Sequence, residues 1–221
     1  MKKVSYLFCL LFVASVVFIS CRNDDDNNPG IGNPTSTTDP GVVIGEINGK
    51  PIRWATRNVD VPGTFVQNPQ DAGRLFQWGT HNGVVHHWDN TTDGAPEGFN
   101  TARNRVAWTR ANDPCPAGWR VPTAEELIAL RNVGYSDWTE LGGVNGRFFG
   151  TEQNHIFLPA SGWRNGYTLG TLGAVGTNGI FWSSMGTGGE NDSAWFLPLS
   201  MGMGVIWYFR SNAGSIRCVA E

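Results

Sequence analysis

Cys115 and Cys218 constrain the fold of this chain more than any other feature. The chain holds four cysteines. Cys9 lies in an apolar run from Val4 to Ile19 that follows Met1-Lys2-Lys3, and Cys21 comes directly after that run and Ser20. Two lysines, an uncharged apolar stretch and a small residue before a cysteine make a secretory signal of the kind cut before a cysteine that then carries lipid. Residues 1–20 then read as a lipoprotein signal peptide, with Cys21 as the lipidation site. A plain membrane-spanning helix is the other use of such a run. Its position directly after the lysines, ahead of a polar segment, favours the signal. In an oxidising envelope compartment only Cys115 and Cys218 remain to form a disulfide. Closing a loop of roughly 100 residues is worth about 4–5 kcal/mol in the chain-entropy model. Such a bond ties mid-chain to the carboxy terminus, so the last strand is expected to pack back into the centre of the fold.

Residues 21–40 are, after Cys21 and Arg22, only Asn, Asp, Gly, Pro, Ser and Thr with one isoleucine, too little apolar surface to offset the entropy of ordering. They read as a flexible tether. An acylated cysteine at its start anchors the chain to a membrane without spanning it. Residues 41–221 remain for one domain with a substantial core. The net charge of −3 and the lack of a Lys/Arg cluster after residue 3 argue against nucleic acid or anionic lipid as partners, and leave the lipid anchor as the only membrane contact.

Short strands dominate the local patterns. Val42 to Ile47 and Ile52 to Thr56 flank Asn48-Gly49, a two-residue hairpin turn. Thr123 and Glu126 form a capping box ahead of Leu127, Leu130 and Val133, which predicts a helix. A shorter helix is expected near Pro69 to Trp78. Strands follow at Ile156 to Leu158, Ile180 to Ser183, Ala194 to Leu199, Val205 to Arg210 and Ser215 to Val219. Turn signals at Met201-Gly202-Met203-Gly204 and Ser211-Asn212-Ala213-Gly214 would join the last three into an antiparallel meander.

Six blocks then occur in order: Trp54-Ala55-Thr56-Arg57-Asn58-Val59, Phe76-Gln77-Trp78-Gly79, Cys115 through Thr123, Leu158 through Arg164, Phe181-Trp182-Ser183-Ser184 and Ser215 through Val219. Together they resemble the Fibrobacter succinogenes major paralogous domain, over residues 42–221. The resemblance implies an α+β, C-type-lectin-like fold with short antiparallel strands, about two helices, a long loop-rich region and paired amino- and carboxy-terminal strands. It also implies surface lipoproteins with ligand-binding or adhesive roles. The acidic run Asp24 to Asp26 resembles the signal that sends lipoproteins to the outer face of the outer membrane in Bacteroidetes-type bacteria. Solvating a linker is its other use. Trp54, Trp78, Trp119 and Trp182 read as core, and Arg120, Arg164 and Arg217 as residues that fix loop carbonyls or pair with acids.

Catalytic patterns are weak. His86 and His87 with Asp89 suggest a metal, but adjacent strand residues face opposite ways. Cysteine pairing leaves no thiol nucleophile, and no serine sits in a Gly-x-Ser-x-Gly elbow. Glu190-Asn191-Asp192 offers oxygens for calcium, yet reads better as an exposed turn. No metal or other cofactor is therefore expected, and an enzyme related to formylglycine-generating proteins is the alternative, as is a subunit of a surface fibre.

The aromatic hairpin from Ala194 to Arg210 is the strongest site candidate. If Leu197, Leu199, Val205 and Phe209 face the core, then Phe196, Pro198, Ile206 and Tyr208 lie opposite, and a bulge is needed to expose Trp207. The expected ligand surface comprises Trp195, Phe196, Pro198, Ile206, Trp207 and Tyr208, with Asn191, Asp192 and Asn212 bonding hydroxyls of a glycan or groups of a protein. The competing expectation is that the long His81 to Arg110 loop caps these rings.

Overall fold

The computed structural model describes residues 36–188, 192–200, 202 and 204–221. The expected signal peptide, Cys21 and Asn191 lie outside the described residues. In chain order the strands are β1 (Val42–Ile47), β2 (Lys50–Trp54), β3 (Leu75–Gln77), β4 (His87–Trp88) and β5 (Trp119–Arg120), followed by helix α1 (Ala124–Val133). After it come β6 (Thr139–Leu141), β7 (Val144–Gly150), β8 (His155–Pro159), β9 (Trp163–Asn165), β10 (Thr171–Gly173), β11 (Ile180–Gly186), β12 (Ser193–Pro198), β13 (Ile206–Phe209), β14 (Ala213–Gly214) and β15 (Val219–Ala220). They form four sheets, ordered β1-β2-β15-β5, β10-β9-β14-β3-β4, β11-β12-β13 and β6-β7-β8.

This architecture overturns the α+β, C-type-lectin-like expectation. The described residues are 39% strand and 7% helical, with one α-helix and a β-sandwich-like arrangement. The helix expected near Pro69 to Trp78 is replaced by β3, whose three residues are all buried. There Asp71 accepts a hydrogen bond from the backbone N–H of Asn68 at 2.9 Å. That local bond holds a turn where a helix would begin, the usual way Asp competes with helical backbone. The meander is also broken. β12 and β13 pair, but the chain then leaves that sheet: β14 pairs with β3 and β9, and β15 with β2 and β5.

Local rules do hold at the first hairpin and at α1. Asn48 and Gly49 take φ of 52° and 74°, the left-handed pair that a two-residue turn requires. Thr123 Oγ1 accepts the Glu126 N–H at 3.2 Å and Glu126 accepts the Thr123 N–H at 2.7 Å, closing the capping box. Leu127 and Leu130 are buried, whereas Val133 is not. The terminal strands pair, with Val219 opposite Trp54. Cys115 and Cys218 are joined by a disulfide across 103 residues. The tether is shorter than its composition implies: Ser36 pairs with Phe65, and Asp39 accepts bonds from the Thr56 N–H at 2.9 Å and Arg57 Nε at 3.0 Å.

The core is split by the β11–β12 pair. Ile180, Trp182, Ala194 and Phe196 face one apolar cluster with Phe76 and Trp78, while Phe181, Leu197 and Leu199 face another with Trp54 and Leu127. Strand alternation thus makes both faces of these strands interior. Three fully buried tryptophans each give their indole N–H to a carbonyl: Trp54 to Ile44 at 3.1 Å, Trp78 to Ser183 at 2.7 Å and Trp182 to Phe76 at 2.9 Å. Satisfied donors are what allow such large side chains to be buried without a polar penalty.

Residues 81–110 form the longest stretch with little regular structure, and side chains from elsewhere clamp it. Buried Arg164 donates from Nε to Asp89 O and from Nη2 to Thr92 O, both at 3.0 Å. Gln77 Nε2 donates to Asn100 O and Ser211 O, both at 2.6 Å. Thr80 and Val106 exchange backbone bonds of 2.7 and 2.9 Å. Gly79 permits that approach: its φ is 63°, and a Cβ there would sit 2.1 Å from Val106 O.

Candidate functional site

The β12–β13 ladder places Trp195 directly opposite Trp207, and Ser193 opposite Phe209. Trp195 shares the face of Leu197 and Leu199 by alternation, but the apolar cluster those leucines complete does not include it. Trp207 is 55% exposed as a result. No bulge is needed, contrary to the sequence expectation, because the face itself runs out from the core into solvent at this register.

Together Arg103, Thr187, Asp192, Ser193, Trp195, Trp207 and Phe209 line a groove of about 570 Å³. Its size falls within the range of roughly 300–1,000 Å³ typical of small-molecule sites. Ser193 of this lining is held by Arg210, whose Nε donates to Ser193 O and Nη1 to Arg105 O, each at 3.0 Å, with the guanidinium 4.4 Å from the Trp78 ring centre. Burial lowers the pKa of Arg210, and neighbouring Asp192 opposes that shift.

Arg103 closes the groove from the side of the long loop. Its guanidinium carbon lies 4.0 Å from the Phe209 ring centre and 5.1 Å from that of Tyr167. The loop thus covers Phe209 and leaves Trp207 open, an outcome between the two sequence expectations.

Of the other expected ligand residues, Phe196 and Pro198 are buried, and Phe196 packs edge-on to Trp182 at 5.7 Å. Ile206 and Tyr208 are half-buried against the same cluster. Asn212 is fully buried, accepting the Gly166 N–H and donating to Phe209 O, both at 2.9 Å. The fold covers the face that the isolated hairpin would expose, and these residues stand outside the groove. Trp195, Trp207 and Asp192 stay in it. Arg103, Thr187 and Phe209 join it unannounced by sequence, since only the pairing of β12 and β13 and the docking of a distant loop bring them together.

A second cavity of about 440 Å³ lies beside Trp108, Trp119 and Cys115. Its charged groups are already engaged, although the buried Trp108 indole N–H has no hydrogen-bond partner. Asp113 accepts the N–H groups of Cys115 at 2.8 Å and Val121 at 3.1 Å, Arg120 grips Glu126 through two nitrogens, and Arg110 pairs with Glu221. Burial raises the pKa of Asp113, and the two N–H bonds work against it. Such a cavity offers a ligand few free partners.

His86 and His87 pack on different rings, His86 against Trp88 at 6.1 Å and His87 against Phe76 at 5.3 Å. Among the described residues no three His, Cys, Asp or Glu side chains are placed to share a metal ion. Arg120, Arg164 and Arg217 all bond carbonyls or carboxylates within the fold.

No family model, curated protein or solved structure matches this chain. Fold and groove alone define its class: a mostly β domain, stapled by one disulfide, with an open aromatic groove at the end of its central sheet.

Proposed function

We propose that this is a lipid-anchored, surface-displayed binding module that takes a glycan in the Trp195–Trp207 groove. The observation that carries the reading is the exposed Trp207, paired across the ladder with Trp195 and ringed by hydrogen-bonding groups. Indole faces stack on the C–H surfaces of pyranose rings, while Asp192 and Thr187 offer partners to hydroxyls. A protein partner is less well suited, since a stable interface needs roughly 800 Å² on each side, whereas a groove of about 570 Å³ matches a small ligand.

The anchor at Cys21, display on the outer membrane and kinship with the Fibrobacter succinogenes major paralogous domain belong to the same proposal, on the sequence patterns given above. The enzyme alternative needs a reactive cysteine near the carboxy terminus. Cys218 is fully buried and held in a disulfide.

The test is saccharide binding by the mature protein beside Trp207→Ala and Trp195→Ala variants. Truncating a tryptophan at the centre of a site costs about 2 kcal/mol or more, a loss of roughly 30-fold. Unchanged saccharide affinity in both variants contradicts the groove, and capture of a defined protein in place of sugar contradicts the glycan.

A further inference from the structure

We infer that the saccharide carries a carboxylate, and that Arg103 is the residue that pairs with it. This rests on reading the groove as a saccharide site, and narrows the ligand to acidic sugars of the uronic or sialic class.

Two aromatic rings hold the Arg103 side chain. Its guanidinium carbon lies 4.0 Å from the Phe209 ring centre and 5.1 Å from that of Tyr167, and the two rings meet edge-to-face at 5.3 Å. Cation–π contacts of this kind position a guanidinium without using its N–H donors. Those donors form the fork that matches the two oxygens of a carboxylate.

No hydrogen bond or ion pair engages the Arg103 side chain among the described residues. Other arginines of the domain contrast with it: Arg57 has Asp39, Arg120 has Glu126 and Arg164 has Asp89. The stacking rings supply position and no counter-charge.

Asp192, the acidic residue on the same groove, does not fill this role. It lies by Arg210, on which it acts electrostatically, and the backbone N–H of Arg210 bonds Asp192 O at 2.8 Å. The groove therefore presents one unmatched cation beside two tryptophans and a carboxylate able to accept sugar hydroxyls. A pyranose stacked on the tryptophans with a carboxylate toward Arg103 satisfies all three elements. A neutral sugar leaves the fork to water.

The experiment uses an array of uronic- and sialic-acid saccharides, each printed beside its carboxyl methyl ester, which keeps the ring and removes the charge. Wild-type mature protein is compared with Arg103→Met, Arg103→Lys and Trp207→Ala, with folding checked by thermal melts. The wild type is expected to prefer an acid over its ester by about tenfold, a preference that shrinks as salt rises. Arg103→Met abolishes the preference of acid over ester, and Arg103→Lys keeps part of it. Acid and ester bound equally by the wild type, or a preference that survives Arg103→Met, overturns the inference while Trp207-dependent binding still upholds the groove. Absence of saccharide binding, or binding indifferent to Trp207→Ala, overturns the groove and this inference with it.

Discussion

Arg217 donates from both Nε and Nη2 to Asn58 Oδ1, at 2.9 and 2.8 Å, across 159 residues of sequence. Both side chains are buried, and Arg217 also reaches Phe157 O at 2.9 Å. Burial pushes the pKa of Arg217 down to about 9, with Asp39 opposing, so it is still charged at pH 7. A buried cation without a bonded carboxylate depends on such carbonyl acceptors. Asn58→Ala should therefore cost about 3 kcal/mol in urea unfolding, since bonds to charged groups are worth about 1.5–3 kcal/mol each. Adding Arg217→Met should cost less than the two single changes summed, because it removes the stranded charge. Strict additivity would show that the two groups act separately.

The disulfide gives a second prediction. Cys115 and Cys218 are buried within one apolar cluster, and removing a native disulfide typically costs about 2–5 kcal/mol. The Cys115→Ala/Cys218→Ala variant should melt lower by calorimetry yet bind ligand normally below its transition. A binding or catalytic function that disappears while the variant is still folded would reopen the enzyme alternative.

Acid sensitivity follows from His87. Burial, aided by Arg74, lowers its pKa below 6.5, and its Nδ1 has no hydrogen-bond partner. A depressed folded pKa means that the unfolded chain binds a proton first as pH falls. Stability from this group is thus full above pH 6.5 and is lost on acidification through the folded pKa. His87→Leu should flatten the decline in melting temperature between pH 7 and pH 5, leaving the part due to His86, which shifts in the same direction. An unaltered slope in the variant would rule His87 out as its source.

Gly79 sets the position of the loop that carries Arg103. With φ at 63° and Val106 O against the missing Cβ, Gly79→Ala forces the backbone to move, at a cost of more than about 1 kcal/mol. Hydrogen exchange should quicken at the Thr80 and Val106 amides ahead of the core. Protection unchanged there would mean that the loop is held by Arg164 and Gln77 alone.

Sequence patterns reach as far as the interactions that create them. Asn48-Gly49, the Thr123–Glu126 box and the Cys115–Cys218 pair depend on local geometry or on elimination, and each can be read before folding. The aromatic run from Ala194 to Arg210 is different. Alternation separates Phe196 from Trp195 but does not say which face is covered, since β11 and β12 lie between two clusters and β13 lies at the edge. Asn212 looks like a solvent turn residue until Gly166 is known to bond it. Arg103 carries no signal at all in its own neighbourhood; its partners Tyr167 and Phe209 are brought to it by tertiary packing.

The ten tryptophans allow the groove itself to be tested in one measurement. Each indole N–H gives its own resonance in a nitrogen-labelled spectrum, and addition of the saccharide bound on the array should move those of Trp195 and Trp207. The resonances of Trp54, Trp78 and Trp182, fully buried and bonded to carbonyls, should stay in place. Shifts confined to Trp108 and Trp119 would put the ligand in the second cavity and contradict the groove as the binding site.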